Sequence, residues 1–585
     1  MHTPTNEKNI NKLLLFMIVL FPWVFLVFQG LDVLEFGYWV VSFENFFIHP
    51  EVMPDIVFGS WLTGFIGAIA EIVFGGLGVV GHRIAFIISL YILIYMIYSL
   101  LSPFTTKKRL LYFLLLSEIF VNIETYTLTN YYMLTILFYV WGLLLLYKGL
   151  ISNKLSLLFA AGVVLGLNFY IRIPNILGLS LIIVIIYYDL ITDGIQIKQT
   201  LKKSIVFLTG FFVAIVAVLV IMKMIGHYEL FVQQMNYLYD LLFSNNQGYG
   251  AGSLKKKFIY LHFYALSSGL LLFIILSVIL LSTKYWILNT YKNVILLVLS
   301  VVLAIVLIRL SEADTAYYYS IYLGFIGLTY VLLLWIGYKK FKVDSRFSTI
   351  ALATLLIFEL VPLGSRAYRY QLVYGMYLVI PVIFIYLYSL KEIRIKNLII
   401  SEQSLKGFLS LFTVSIVIYA MIIMIYYRAP ANEVKSWTLV HSVDHPKLKG
   451  IYLTKERADT LNELIYAMQK YEEGFSYIMT YEQISTVSYL SNLQPYLSNT
   501  YPFFLTPKEA KKIIDKAGST KSLPLVVRAI TDTLPISWPK NRLPVHTSDG
   551  KMNKVRVVIE EFLKENDYAV VWQNKDFEIL KPHLK

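Results

Sequence analysis

Residues 13–38 read LLLFMIVLFPWVFLVFQGLDVLEFGY, an apolar run that ends at Gln29-Gly30 and gives way at once to two carboxylates, Asp32 and Glu35. The run follows Lys8 and Lys12, as the apolar core of a signal peptide would, yet no small-x-small cleavage site closes it. It reads as an uncleaved first helix. Apolar runs of similar kind recur downstream, among them 84–101, 132–147, 205–222, 260–281, 372–390 and 408–426, and hydropathy places about 13 spans in all. With 57% hydrophobic and 15% charged residues and a mean hydropathy of +0.65, the main body is too apolar for water. In lipid every backbone N–H and C=O must be paired internally, and these runs lack the alternation of barrel strands. The fold class expected is therefore an α-helical polytopic membrane protein.

The net charge of +14 lies mainly in short connections such as Lys107-Lys108-Arg109, Lys198 to Lys203, Lys339 to Arg346 and Lys391 to Lys396. An N-terminus on the cytoplasmic side places all of these inside, so the positive-inside rule accounts for the charge and no nucleic-acid partner is implied. The same assignment puts residues 29–83 outside, where Asp32, Glu35, Glu44, Glu51, Asp55 and Glu71 precede the first arginine, Arg83. An odd number of spans delivers the tail outside as well. The chain thus divides into a membrane portion, 1–426, with its first outer loop at 29–83, and an extracytoplasmic α/β domain, 427–585. Within the tail, 455–473 has helical apolar spacing closed by Gly474, 475–481, 523–530 and 569–573 read as strands, and 555–565 reads as a helix.

Candidate chemistry concentrates at the outer face. If Asp32 and Glu35 open a helix, their spacing puts both carboxylates on one side, where either could act as general base or hold a divalent cation such as Mg2+ or Mn2+. The plainer role is two N-terminal charges complementing the helix dipole. Residues 61–74, broken by Gly64 and Gly67, read as a helix lying in the interface, with Glu71 facing water. Few arginines occur near outer span ends: Arg83 beside His82, Arg172 before Ile173-Pro174-Asn175, Arg309, and Arg366 with Arg369. Each guanidinium there can grip a phosphate bidentately or snorkel to lipid headgroups. Glu118 and Glu359, inside apolar runs, are expected to pair or to line a cavity. The lysines that follow Tyr249-Gly250-Ala251-Gly252 read as neutralising headgroups. The chain has no cysteine, and His441 with His445 lacks the intervening Glu of a zinc-protease helix, so neither thiolate nor such zinc chemistry is indicated.

The stretch Asp32-Val33-Leu34-Glu35-Phe36-Gly37-Tyr38 resembles, in altered form, the acidic first-loop motif of the GT-C superfamily of membrane glycosyltransferases, particularly its bacterial mannosyltransferase-like and aminoarabinose-transferase-like branch. The junction from Phe74-Gly75 to Arg83, the turn Arg172-Ile173-Pro174-Asn175 and Gly364-Ser365-Arg366 are also similar, as is the tail from His445. A Trp-Trp-Asp motif is absent, which argues against en bloc transfer to asparagine. The resemblance implies inverting transfer of a single sugar from a polyprenyl-phosphate donor to a glycan, lipid or protein acceptor, at the outer face of a bacterial inner membrane. It implies Asp32 first and Glu35 second as the residues that activate the acceptor, with Arg83, Arg172, Arg366, Arg369, Tyr38 and His82 on the donor phosphate and substrate. The alternatives are a polysaccharide polymerase, whose large loop would lie between helices, and a lipid-linked-sugar transporter or flippase, for which an internal repeat would be expected and none is seen.

Overall fold

The computed structural model describes residues 13–15, 17, 21, 23, 26–52, 58–122, 128–192, 194–243, 255–256, 258–270, 274, 280, 291–312, 327–336, 344–364, 368–395, 398–422, 436–502, 505–534, 538–545 and 550–583. The membrane portion runs α1 (Glu35–Asn45), α2 (Trp61–Phe74), α3 (Gly78–Leu101), α4 (Lys107–Asn122), α5 (Tyr131–Ile151), α6 (Leu155–Ile171), α7 (Ile182–Thr192), α8 (Ile197–Met224), α9 (Tyr228–Phe243), α10 (Lys292–Glu312), α11 (Ser345–Leu360), α12 (Tyr368–Ser389) and α13 (Glu402–Ile422). Between α12 and α13 lies a small antiparallel hairpin, β1 (Glu392–Ile395) and β2 (Leu398–Ser401).

Among the described residues five helical stretches are long and apolar enough to cross a membrane, and Leu155–Ile171, Val294–Leu303 and Gly327–Ile336 are shorter apolar helices. The longest stretch, Trp61–Phe104, is broken by a 3-10 turn, Gly75–Leu77, so α2 and α3 are separate helices. Several of the other spans expected from hydropathy, including the first, fall wholly or partly outside the described residues.

Two helix starts are sealed by side chains that the sequence supplies. The Asn130 side chain accepts from the amides of Tyr132 and Met133 to begin α5, and Asp344 accepts from Arg346 to begin α11. Helices α6 and α8 pack closely because small residues face backbone. A Cβ built on Gly162 would lie 2.0 Å from the Phe207 carbonyl oxygen, and one on Gly210 would lie 2.1 Å from that of Phe159. In lipid, where water supplies no drive between helices, such close approach is a main source of association.

The tail forms a second body. Strands β3 (His441–Ser442) and β4 (Tyr452–Leu453) make a short ribbon, followed by α14 (Lys455–Tyr471), β5 (Tyr477–Tyr481), α15 (Ser485–Leu490), β6 (Gln494–Pro495), α16 (Pro507–Thr520), β7 (Leu525–Ala529), α17 (Gly550–Glu565), β8 (Tyr568–Gln573) and β9 (Phe577–Pro582). The five-stranded sheet has the order β6-β5-β7-β9-β8, with β5 parallel to β6 and β7, and β9 antiparallel to β7 and β8. Thr506 and Glu509 form a reciprocal capping box at the start of α16, with Pro507 in its first turn. Gly474, with a φ of 86°, turns the chain after α14, as its position predicts. The expected strands and helices of the tail form; α15, α16, β9 and the short β3, β4 and β6 are additional.

Replacing Gly162 by Leu is expected to force α6 and α8 apart and to lower stability by about 1–3 kcal/mol. Thermal unfolding of the detergent-solubilised protein, followed by size-exclusion chromatography, measures this; a melting temperature equal to wild type would refute the packing argument.

Candidate active site

The residues after the first apolar run make a tight turn that two separate groups hold. Arg83, buried near the start of α3, donates from Nη1 to the carbonyls of Val27 and Gln29 at 2.9 Å and from Nη2 to that of Gly30 at 2.6 Å. Asp32 follows, and its Oδ1 accepts from the amides of Leu34 at 2.7 Å and Glu35 at 3.0 Å, which starts α1. The carboxylate thus closes a turn two residues before the N-cap, Leu34, in the way short acidic side chains bond the backbone ahead of them.

The soluble domain closes over this turn. Thr486 of α15 donates its hydroxyl to the Asp32 carbonyl at 2.7 Å and accepts from the Gly37 amide at 3.0 Å, while its own amide donates to the Val33 carbonyl at 2.9 Å. Gly37 is obligatory here, because a Cβ would lie 2.2 Å from the Thr486 backbone. Lower on the same junction, the Gly30 amide donates to Tyr452 and the Tyr452 amide donates to Phe28. Lys447 completes it by pairing with Glu44 at 2.8 Å, donating to the Tyr489 carbonyl at 2.7 Å and lying 4.2 Å above the Tyr489 ring. The acidic loop and the C-terminal domain therefore share one side of the molecule.

Burial at this junction raises the Asp32 carboxyl above its usual range, against the lowering effect of its two amide bonds and of Arg457 and Arg83. Burial, with the charge of Asp32 added, pushes Glu35 up to about 7. Burial also raises Glu44, which Lys447 opposes. A carboxyl poised near 7 can accept a proton at neutral pH, as general-base catalysis requires. Arg457, at the start of α14, comes from the far domain; its Nε donates to the Trp538 carbonyl at 2.9 Å and its guanidinium lies 5.4 Å from that ring.

The structure gathers Asp32, Glu35, His82 and Arg83 around one turn. His82 packs edge-on against Phe36 at 5.7 Å and lies 2.6 Å from Glu71, so Glu71 faces a histidine where water was expected. Tyr38 is buried on α1 beside Trp39. The terminal N–H groups of Arg83 are directed at four backbone carbonyls, those of Leu26, Val27, Gln29 and Gly30. Arg172 donates to the carbonyls of Val361 at 2.9 Å and of Leu363, tying the end of α6 to the end of α11. There the two family-like motifs meet, with Gly364 in a left-handed conformation packed on Pro174. Thr63 of α2 donates to the Ile171 carbonyl at 3.2 Å and so links this second junction to the segment 29–83. Arg366 lies outside the described residues, as do the side chains of Arg309 and Arg369 and the loop 244–254.

Sequence reasoning missed Thr486, Lys447 and Arg457. They lie more than 400 residues from Asp32 in the chain, on a domain whose orientation no local pattern encodes. Among the described residues no three His, Asp or Glu side chains are placed to hold a metal ion. Asp32 and Glu35 alone match only the one or two carboxylates with which Mg2+ is held jointly with a substrate phosphate.

No family model matches the chain, and neither does any curated protein. Among solved structures it is similar to the archaeal oligosaccharyltransferase AglB from Archaeoglobus fulgidus, determined in complex with an inhibitory peptide and a dolichol-phosphate. The TM-score is 0.42 and the identity 12%, covering 89% of this chain and 69% of that one.

Glu35 ties stability to pH. Its carboxyl titrates at 4.5 when free and at about 7 in the fold, so between these values the folded state holds more protons than the unfolded one. Stability therefore falls as pH rises through this window and levels off above it. Glu35→Gln lacks this loss, and its melting temperature is expected to gain on wild type from pH 5 to 8, values set by that shift. Parallel melting curves across the window would contradict it.

Proposed function

We propose that the protein is a membrane glycosyltransferase that moves one sugar from a polyprenyl-phosphate donor to a hydroxyl-bearing acceptor at the outer face of the membrane. The observation that carries the reading is the partly buried pair Asp32 and Glu35, set between a lipid-embedded helical bundle and a water-soluble domain, with Glu35 near 7. A lipid-linked donor and a polar acceptor would approach such a junction from opposite sides. The resemblance of the Asp32–Tyr38 stretch to the GT-C acidic loop points the same way.

In this reading Glu35 takes the proton of the acceptor hydroxyl, whose oxygen forms a bond to the anomeric carbon. The bond from that carbon to the donor phosphate oxygen breaks, its electrons pass to the phosphate, and configuration inverts. Asp32, fixed by two amides, orients the acceptor and keeps Glu35 in place. Arg457 provides positive charge near Asp32, where charge develops. A divalent cation, if bound by Asp32 together with the donor phosphate, would add to that stabilisation. Arg83 and Arg172 serve by holding the two junctions, and Arg366 and Arg369 remain proposed phosphate ligands.

Purified protein in lipid nanodiscs is expected to consume at least one radiolabelled polyprenyl-phosphate sugar when acceptors are supplied. Asp32→Asn should lower transfer by misplacing the acceptor and Glu35, and Glu35→Gln should reduce it at least about 100-fold, the lower end of what a positioned acid-base group contributes. Glu35→Gln should remove the ionisation near 7 from the pH profile of kcat. Unchanged turnover in Asp32→Asn would sink the assigned role, and no turnover by folded wild type would sink the reaction class.

A further inference from the structure

At the carboxyl end of β5 two successive residues that are not glycine, Glu482 and Gln483, adopt left-handed backbone angles, with φ of 69° and 66°. Both side chains are more than nine-tenths buried, at 5% and 7% exposure. Each also carries a buried acceptor oxygen, Oε1 in both residues, that no donor among the described residues satisfies with a hydrogen bond. The nearest positive group to Glu482 is Arg556 of α17, whose Nε lies 3.5 Å from Oε1. Buried acceptors are ordinarily satisfied, so two adjacent ones left open mark a place where a donor is missing.

Their position suits a ligand. In sheets with parallel strands, ligands bind off the carboxyl ends of the strands. Here β5 and its parallel neighbour β7 end side by side, and Thr533, just beyond β7, donates to the Gln483 carbonyl at 3.3 Å. Arg556, which faces Glu482, also lines with Val557, Glu560, Glu561 and Lys564 an open cleft of about 410 Å3 along α17. Thr486 stands three residues beyond Gln483 and rests on the Asp32 carbonyl. The open acceptors therefore lie on the segment that carries the soluble domain onto the acidic turn.

We propose that Glu482 and Gln483 form an acceptor subsite that binds the hydroxyl groups of a sugar, delivering it toward Asp32 and Glu35. The chemistry is that of acceptor oxygens awaiting O–H donors, flanked by the guanidinium of Arg556, whose N–H groups can serve ring and hydroxyl oxygens. This rests on the glycosyl-transfer reading for the fate of the sugar, but the binding itself can be measured without turnover.

The experiment is saturation-transfer NMR on the full-length protein in nanodiscs with the methyl glycosides of glucose, galactose, mannose and N-acetylglucosamine, with putrescine as a cationic control. Saturation is expected to reach at least one glycoside, with the signal reduced five-fold or more in Glu482→Gln and in Gln483→Gly. Glycine suits the left-handed backbone, so Gln483→Gly should melt no lower than wild type, which separates lost binding from lost folding. Absence of any glycoside signal from wild type, an equal signal from both variants, or binding of putrescine alone would overturn the subsite. Glycoside binding without transfer from any donor would instead leave the subsite standing and remove the reaction proposed above.

Discussion

The hydroxyl of Thr486 donates to the carbonyl of Asp32 and accepts from the amide of Gly37, and its own amide reaches Val33, so the soluble domain grips the acidic turn through backbone groups. Recognition by Thr486 uses backbone groups of the turn, while the Asp32 carboxylate is held by the amides of Leu34 and Glu35. Everything proposed for the site depends on that clasp. Burial at this junction raises both carboxyls. Gly37 is part of the same device, because any side chain there would hold the domain away.

The underside of the turn is fixed by Arg83. A buried guanidinium bonded to several carbonyls is worth more than the neutral bonds it replaces, about 1.5–3 kcal/mol for each hydrogen bond to a charged group. A turn that leaves a membrane helix has carbonyls that helix geometry cannot pair, and one arginine satisfies four of them. Arg172 solves the same problem at the end of α6, using the carbonyls that terminate α11. Two arginines thus stitch irregular backbone at helix ends.

The same economy governs the polar groups within the bundle. Glu118 accepts from the Trp23 indole at 3.2 Å, Glu359 meets His262 at 2.9 Å, and Asp189 holds both Lys203 and Thr200. The expectation that intramembrane carboxylates seek partners describes these residues, although nothing in the local sequence identifies Trp23, 95 positions away, as the partner of Glu118. Pairing removes the cost of an unpaired charge in lipid, which is large by any scale.

Much of the architecture was legible because it is written locally. Apolar runs of spanning length, loops rich in lysine, a polar tail and the spacing of Asp32 and Glu35 are all read within a few turns of chain, and the physics behind them acts at that range. Strand β9 escaped because Phe577-Glu578-Ile579-Leu580 is too short and mixed to stand out, and it forms by pairing with β7, some 50 residues earlier. By itself the sequence determined a helical membrane protein with an acidic segment after its first apolar run and an α/β tail. Only the tertiary structure decided that the tail seats on that loop, that Arg83 and Arg172 are spent on carbonyls, and that Glu482 and Gln483 are left open. The reason is that a backbone carbonyl has no residue identity, so a partner found by folding two distant segments together leaves no mark in the order of side chains.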